Sequence, residues 1–266
     1  MDLKISGKRA LVTGSSSGIG AATAETLAAE GVKVVVHGRD AARAQAVADR
    51  IMAAGGEATV ALGDLVTDEA ADSVAEAAIA AWGGIDILVN NAGGPSNPAL
   101  NWDNIESEDW ARTFNLNTIS TARMIKRCVP GMKASGWGRI IQMSSMAAMR
   151  GGPTIPDYNA VKTSLNMMTV SLAKALADTG ITVNTVSPGL IVTPVLESYF
   201  KSLPDNAGKP WDEIEPTLSK AYNGLVKRLG RPQDIADAIT FLCSNRADHI
   251  TGTNLRIDGG MTGFMN

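Results

Sequence analysis

Cysteine is scarce in this 266-residue chain: Cys128 and Cys243 are its only two. They lie far apart and fit neither a metal knuckle nor a Cys-x-x-Cys redox pair, so two buried thiols in a reducing compartment are expected. Charge of one sign is also lacking. A net charge of −3 gives nucleic acid or an acidic membrane surface nothing to hold. No window reaches the ~18 apolar residues of a membrane span, and Asp2, Lys4 and Lys8 stand where a secretory signal would need its apolar core. Repeats, low-complexity tracts and long linkers are absent. These absences leave a soluble, cytoplasmic protein folded as one domain over residues 1–266. What is abundant supports this, because 45% hydrophobic residues and 27 glycines suit a large core with close helix–sheet contacts.

The first organised stretch is a short apolar strand, Arg9–Val12, followed at once by Thr13, Gly14, Ser15, Ser16, Ser17, Gly18, Ile19 and Gly20, then by an Ala-rich helix from Ala21 to about Glu30. Small residues between a strand and a helix N-terminus let backbone amides approach a pyrophosphate, which the positive end of the helix also favours. The spacing is Gly-x-x-x-Gly-x-Gly with no Lys, which argues against a nucleoside-triphosphate P-loop.

The stretch from Ser145 to Lys162 carries the chemistry. It leaves an apolar run, crosses a Gly/Pro-rich loop and enters a helix bearing Tyr158 and Lys162, which at i and i+4 share one face. A phenol near pKa ~10 is a weak acid, and an adjacent ammonium is expected to favour the phenolate. Tyr-x-x-x-Lys alone also describes an ordinary surface pair, but a strand-end Ser145 thirteen residues before Tyr158 completes a trio able to polarise a carbonyl.

Together these residues resemble the short-chain dehydrogenase/reductase family over nearly the whole chain. The resemblance implies a Rossmann fold: a doubly wound, seven-stranded parallel sheet in the order 3-2-1-4-5-6-7, with helices on both faces and the site at the carboxyl edge. It implies hydride transfer between nicotinamide and a carbonyl or secondary alcohol. Tyr158 would move the proton, Ser145 hydrogen-bond the carbonyl oxygen, Lys162 hold the nicotinamide ribose, and Asn117 keep a water relay through its backbone carbonyl at a break in the helix running from Ser107 past Arg127. Asn117 is chosen over Asn115 by its distance from Trp110.

Further cofactor contacts follow from matching motifs: Asp64 and Leu65 after the third strand, Asn91, Ala92 and Gly93 after the fourth, and Pro188, Gly189 and Thr193 after the sixth. Asn90 would steady the central sheet. At the end of the second strand NAD-preferring relatives carry an acid where this chain has Gly38, and Arg39 follows, so NADP(H) is favoured and NAD(H) stays possible. Asp40 is either a helix N-cap or, shifted by one residue, the ribose-binding acid. His37 reads as structural. A homotetramer is implied by analogy.

The segment of about 190–228 is the most individual and carries Tyr199, Phe200, Trp211 and Tyr222. It reads as a substrate lid, and its aromatics either meet a bulky apolar substrate or pack the lid down. β-Ketoacyl-carrier-protein reductases resemble this chain, but where those acting on the carrier show basic docking residues it has Ser135-Gly136 and Asp178-Thr179. A free small-molecule ketone or alcohol is therefore preferred. An NAD-dependent alcohol dehydrogenase and a catalytically silent dinucleotide sensor or scaffold are the alternatives, while a dehalogenase is disfavoured by the retained glycine cradle. No metal site is expected.

Overall fold

The computed structural model describes residues 1–95 and 97–263. Its strands are β1 (Arg9–Val12), β2 (Lys33–Gly38), β3 (Glu57–Leu62), β4 (Ile87–Asn90), β5 (Gly138–Met143), β6 (Ile181–Pro188) and β7 (Asn254–Ile257). They form one parallel sheet in the order β3-β2-β1-β4-β5-β6-β7, the order expected. The helices are α1 (Gly18–Ala29), α2 (Ala41–Ala53), α3 (Asp68–Trp82), α4 (Ser107–Phe114), α5 (Ser120–Ser135), α6 (Ala147–Arg150), α7 (Pro156–Ala175), α8 (Pro194–Ser202), α9 (Trp211–Ala221) and α10 (Pro232–Leu242). None is long and apolar enough to cross a membrane.

The apolar strands are buried on both faces, and alternation sorts their side chains between two cores. Ala10, Val12, Val34, Val36, Ile87 and Val89 face α1, α2 and α10, whereas Leu11, Val35, Leu88 and Ile140 face α3 and α5. Strand ends move where pairing decides them. The sequence predicts β2 over 32–36, but the ladder with β3 continues through His37↔Ala61 and Gly38↔Leu62. It predicts β4 from Ile85, yet Asp86 turns its carboxylate to the Arg9 guanidinium at 2.7 Å, and the strand starts after that ion pair.

Because all strands run the same way, their carboxyl ends share one edge. The strand order reverses between β1 and β4, the position at which open α/β sheets form a crevice. The turns after β1, β4, β5 and β6 meet there.

Candidate active site

The turn after β1 is bolted to its neighbours. The Thr13 hydroxyl donates to the Val89 carbonyl (3.2 Å) and accepts from the amides of Asn91 (3.0 Å) and Ala92 (2.9 Å). Asn91 Nδ2 in turn donates to the carbonyls of Thr13 (2.9 Å) and Gly14 (3.0 Å). Glycine is required at two points by close approach. A Cβ on Gly14, where φ is +65°, would lie 2.9 Å from Ala92 Cα, and one on Gly20 would lie 2.4 Å from the Gly14 carbonyl oxygen.

Ser17 N-caps α1 in extended conformation without a side-chain cap, so the first-turn amides are left to an outside acceptor. Thr193 faces this turn, its Cγ2 3.3 Å from where a Gly18 Cβ would stand, while its hydroxyl caps α8 by accepting from the Leu196 amide. Turn, open helix end and missing side chains fit a diphosphate. Two expected cofactor contacts have other work for their side chains: Asn91 holds the turn, and Leu65 is buried in the core with its carbonyl bound to Arg123 at 3.2 Å.

His37 is structural, as expected. Its Nδ1 accepts from the Gly14 amide at 3.0 Å, and Nε2 faces the Gly63 backbone without a partner in hydrogen-bond geometry. Burial pushes its pKa down to about 4 from the ordinary 6.5, so the ring is neutral at pH 7 and Nδ1 can accept. Between those values the unfolded chain takes up a proton that the folded chain refuses. His37 therefore supports the fold fully above about pH 6.5, and the support is lost as pH falls through about 4. Denaturant unfolding from pH 7 to 4 is expected to show a steeper loss for the wild type than for His37→Asn; equal slopes would contradict the assignment.

At the end of β2, a Cβ on Gly38 would stand 2.9 Å from both Cβ and Oγ of Ser16, which leaves no room for an acid there. Arg39 reaches Asp64 at 3.4 Å and is otherwise open to solvent. Asp40 accepts from the Arg43 amide at 3.1 Å and so caps α2, the first of its two expected roles.

The chemistry-bearing side chains meet at the ends of β5 and α7. Ser145, after β5, accepts from the Ala147 amide at 3.1 Å. The chain enters α7 through Ile155 at φ +50°, a strained conformation for a β-branched residue, held by its amide bond to the Leu100 carbonyl (2.9 Å). Two turns later Lys162 is buried, its Nζ donating to the Met143 carbonyl at 2.9 Å and lying 5.4 Å from the Tyr158 ring centroid.

Asn117 lies in a π-helical turn, Asn115–Ile119, that interrupts the long helix where the break is expected. Its amide exchanges hydrogen bonds with Gly94, at 3.3 Å and 3.2 Å, and a Cβ on Gly93 would stand 2.6 Å from its Oδ1 and 3.7 Å from Lys162 Nζ. Asn115 instead turns to Val66 and Arg123.

The Asn117 carbonyl accepts from the Thr121 hydroxyl at 2.8 Å, which leaves one lone pair for a water. Burial governs both members of the Tyr158–Lys162 pair: it pushes the phenol up to about 12 while the Ser145 hydroxyl pulls the other way, and it brings the amine down to about 8. The amine is still largely protonated at pH 7, and in a site stripped of water its charge favours the phenolate against that burial.

The segment 190–228 has its own small core, in which Phe200, Ile214 and Leu218 pack with Met146, Leu229 and Met261. Trp211 and Tyr222 pack against it too, and Tyr199, 40% exposed, meets the Phe200 ring edge-on with the ring centroids 5.1 Å apart, so packing engages all four aromatics. Glu215 of α9 fastens the segment to the body, a contact that no local sequence signal announces. Its carboxylate accepts from Arg231 Nη1 (2.7 Å) and Nη2 (3.0 Å), the Leu229 amide (3.1 Å) and Trp211 Nε1 (3.1 Å). Burial opposes this carboxylate's charge, but Arg231 and the Leu229 amide outweigh it and hold its pKa below the usual range. Pro188 accepts from the Met146 amide at 2.8 Å, and Gly189 approaches Asp258 too closely for a side chain, with its Cβ position 2.8 Å from Asp258 Cα. Residues 94, 95, 97 and 98 form the expected loop beside the site; Ser96 lies outside the described residues. Among the described residues no group of three or more His, Cys, Asp or Glu is placed to hold a metal.

Known proteins resemble this chain along nearly its whole length. A family model described as Enoyl-(Acyl carrier protein) reductase matches residues 14–262. The 3-oxoacyl-[acyl-carrier-protein] reductase FabG of Escherichia coli is 38% identical over 264 residues, covering 97% of this chain and 99% of that protein. The 7alpha-hydroxysteroid dehydrogenase of the same organism is 33% identical over 259 residues, covering 97% and 96%. L-Sorbose reductase from Gluconobacter frateurii, solved with NADPH and L-sorbose, superposes with a TM-score of 0.95 at 36% identity over 100% of both chains. With such coverage on sequence and on structure alike, the chain belongs to the short-chain dehydrogenase/reductase family.

Proposed function

We propose that this protein is an NADP(H)-dependent oxidoreductase that interconverts a carbonyl and a secondary alcohol on a free small molecule. The observation that carries the reading is the meeting of Ser145, Tyr158, Lys162 and Asn117 at the carboxyl edge, beside a glycine turn shaped for a diphosphate. Gly14, Ser16, Ser17, Gly18, Ile19 and Gly20 would cradle the diphosphate, Asp64 and Leu65 flank the adenine, Ala92 and Gly93 border the sugar, and Pro188, Gly189 and Thr193 face the nicotinamide. When bound, the dinucleotide supplies or accepts the hydride.

The protein's own part is to place the carbonyl and move one proton. Ser145 donates a hydrogen bond to the carbonyl oxygen, and Tyr158, protonated at neutral pH, delivers its proton to that oxygen as charge develops there. Lys162 has three N–H donors and spends one on Met143, so two remain for a ribose hydroxyl and for a water leading to the Asn117 carbonyl.

The coenzyme preference rests on Gly38 and Arg39: the first has no room for an acid, and the second can leave its exposed pairing with Asp64 for a 2′-phosphate. Arg39→Ala is expected to raise KM for NADPH about 10- to 100-fold, the loss of one or two charge-assisted hydrogen bonds, and to leave KM for NADH nearly unchanged. A parallel change in both would contradict the role.

For the substrate, relatives solved with L-sorbose and with a 7-oxo bile acid support a free ketone. The second reading, a ketoacyl group on carrier protein, is favoured by the FabG relatives. It is opposed by Ser135-Gly136 and Asp178-Thr179 where docking cations would stand. Following reduced-nicotinamide absorbance with ketoses, steroid ketones and ketoacyl thioesters decides between them; turnover confined to carrier-bound thioester would reject the first reading. A cytoplasmic homotetramer, with segment 190–228 as the lid of each subunit, completes the proposal. Light scattering of the purified protein tests the subunit count.

A further inference from the structure

A cavity of about 680 Å³ opens at the amino edge of the sheet, opposite the candidate active site, where β5 and β6 begin and α7 ends. We infer that it is a separate binding site for a small organic anion, one with a phosphate or carboxylate head on a compact apolar or planar body.

The first observation is Arg139, 2% exposed and lining this cavity. A buried guanidinium is normally matched by a carboxylate, yet among the described residues none lies within 4.0 Å of it. Its partners are neutral oxygens: the carbonyls of Gly138 (2.9 Å), Gly180 (3.3 Å) and Ser244 (3.5 Å), and Asn245 Oδ1 (3.5 Å). Two of these four contacts sit at the outer limit of a hydrogen bond, and a guanidinium has five N–H donors to place. These bonds engage Nε, both hydrogens of Nη1 and one of Nη2, so one N–H of Nη2 and the charge itself remain for an oxyanion.

The second observation is the company around it. Lys4 and Arg246 also line the cavity and form no ion pair among the described residues; Arg246 donates to the Asp2 carbonyl instead. Asp178 and Asp248 share the lining, and Asp248 acts on Arg139 through space without touching it. Three cations against two carboxylates leave one net positive charge, which suits a monoanionic head. The walls suit the rest of such a ligand. Leu176 and Ile181 supply buried apolar surface, and the Trp137 ring, flanked by Lys8 Nζ at 4.0 Å and the Arg139 guanidinium at 4.4 Å from its centroid, stiffens one wall. The volume lies within the range of small-molecule sites.

The test uses the full-length protein saturated with NADPH, so that the dinucleotide cradle is filled. Phenyl phosphate, benzoate, AMP and inorganic phosphate are titrated calorimetrically at low salt, with benzyl alcohol as the uncharged control. At least one organic anion is expected to bind with 1:1 stoichiometry and a Kd of roughly 10 μM to 1 mM, tighter than inorganic phosphate, with no binding of benzyl alcohol. The double variant Lys4→Glu/Arg246→Glu, altered at the exposed rim, is expected to weaken binding at least ~10-fold while melting temperature and carbonyl turnover are kept. Arg139→Met is expected to abolish binding; should it fail to fold, the rim variant alone decides. Absence of saturable binding by any of the organic anions, or a Kd unchanged in the rim variant, would overturn the inference.

Discussion

Tyr158→Phe is expected to lower kcat for carbonyl reduction by about 10²- to 10⁴-fold, the range that general acid catalysis commonly contributes, while the Kd for NADPH changes less than ~3-fold. The variant removes one oxygen and leaves the ring, so α7 and the Lys162–Met143 contact keep their places. Ser145 can still hold a carbonyl oxygen, yet it is already fixed by the Ala147 amide and lacks a base behind it to pass a proton onward. With the phenol pushed up to about 12, wild-type Tyr158 is protonated throughout the physiological range. Reduction should therefore be nearly flat with pH and alcohol oxidation should rise with it. Stopped-flow turnover and fluorescence titration with NADPH separate the two quantities. A variant within tenfold of wild-type kcat would remove Tyr158 from the proton step.

The second large effect is expected from Gly20→Ala. The added methyl would stand 2.4 Å from the Gly14 carbonyl oxygen, 2.5 Å from Asn91 Nδ2 and 2.8 Å from Ser15 Cα. Two of those neighbours are backbone, so the clash cannot be relieved by a rotamer change. The turn must move, and the Asn91 bonds to Thr13 and Gly14 go with it. Overpacking costs about 1–3 kcal/mol, and two lost hydrogen bonds add roughly 1 kcal/mol each. At about 2–4 °C per kcal/mol for a chain of this size, Tm should fall by roughly 6–20 °C. NADPH affinity should fall at least ~100-fold, because the same displacement moves the amides meant for the diphosphate. Gly131→Ala in α5 meets nothing within 4 Å and serves as the control, with Tm unchanged or slightly higher. Normal NADPH binding by the Gly20 variant would show that the turn does not hold the diphosphate.

Much of this was legible in the residues. The glycine turn, the strand–helix alternation and the spacing of Ser145, Tyr158 and Lys162 depend on short-range pattern and close approach, which sequence records directly. The resemblance added Asn117, and the π turn lies where it implied a break. What stayed hidden depends on backbone acceptors and long-range partners. Nothing in the letters says that Lys162 will spend a hydrogen bond on the Met143 carbonyl, since every residue carries that acceptor. Burial, likewise a tertiary property, pushes the phenol in the opposite direction to a neighbouring ammonium. Arg39 and Asp64 sit at the ends of adjacent strands, β2 and β3, and find each other only once those strands pair. Arg139 reads as a polar residue in a largely apolar strand, and only the fold reveals that among the described residues no carboxylate comes to meet it.

Glu215 has a mechanical consequence. One carboxylate gathers Arg231, Leu229 and Trp211 at a single point, and Met146, Leu229 and Met261 complete the apolar cluster beneath residues 190–228. Arg228 adds a second clasp to Asp234 at 2.6 Å, so any swing of that stretch to free a product would have to break polar and apolar contacts in concert.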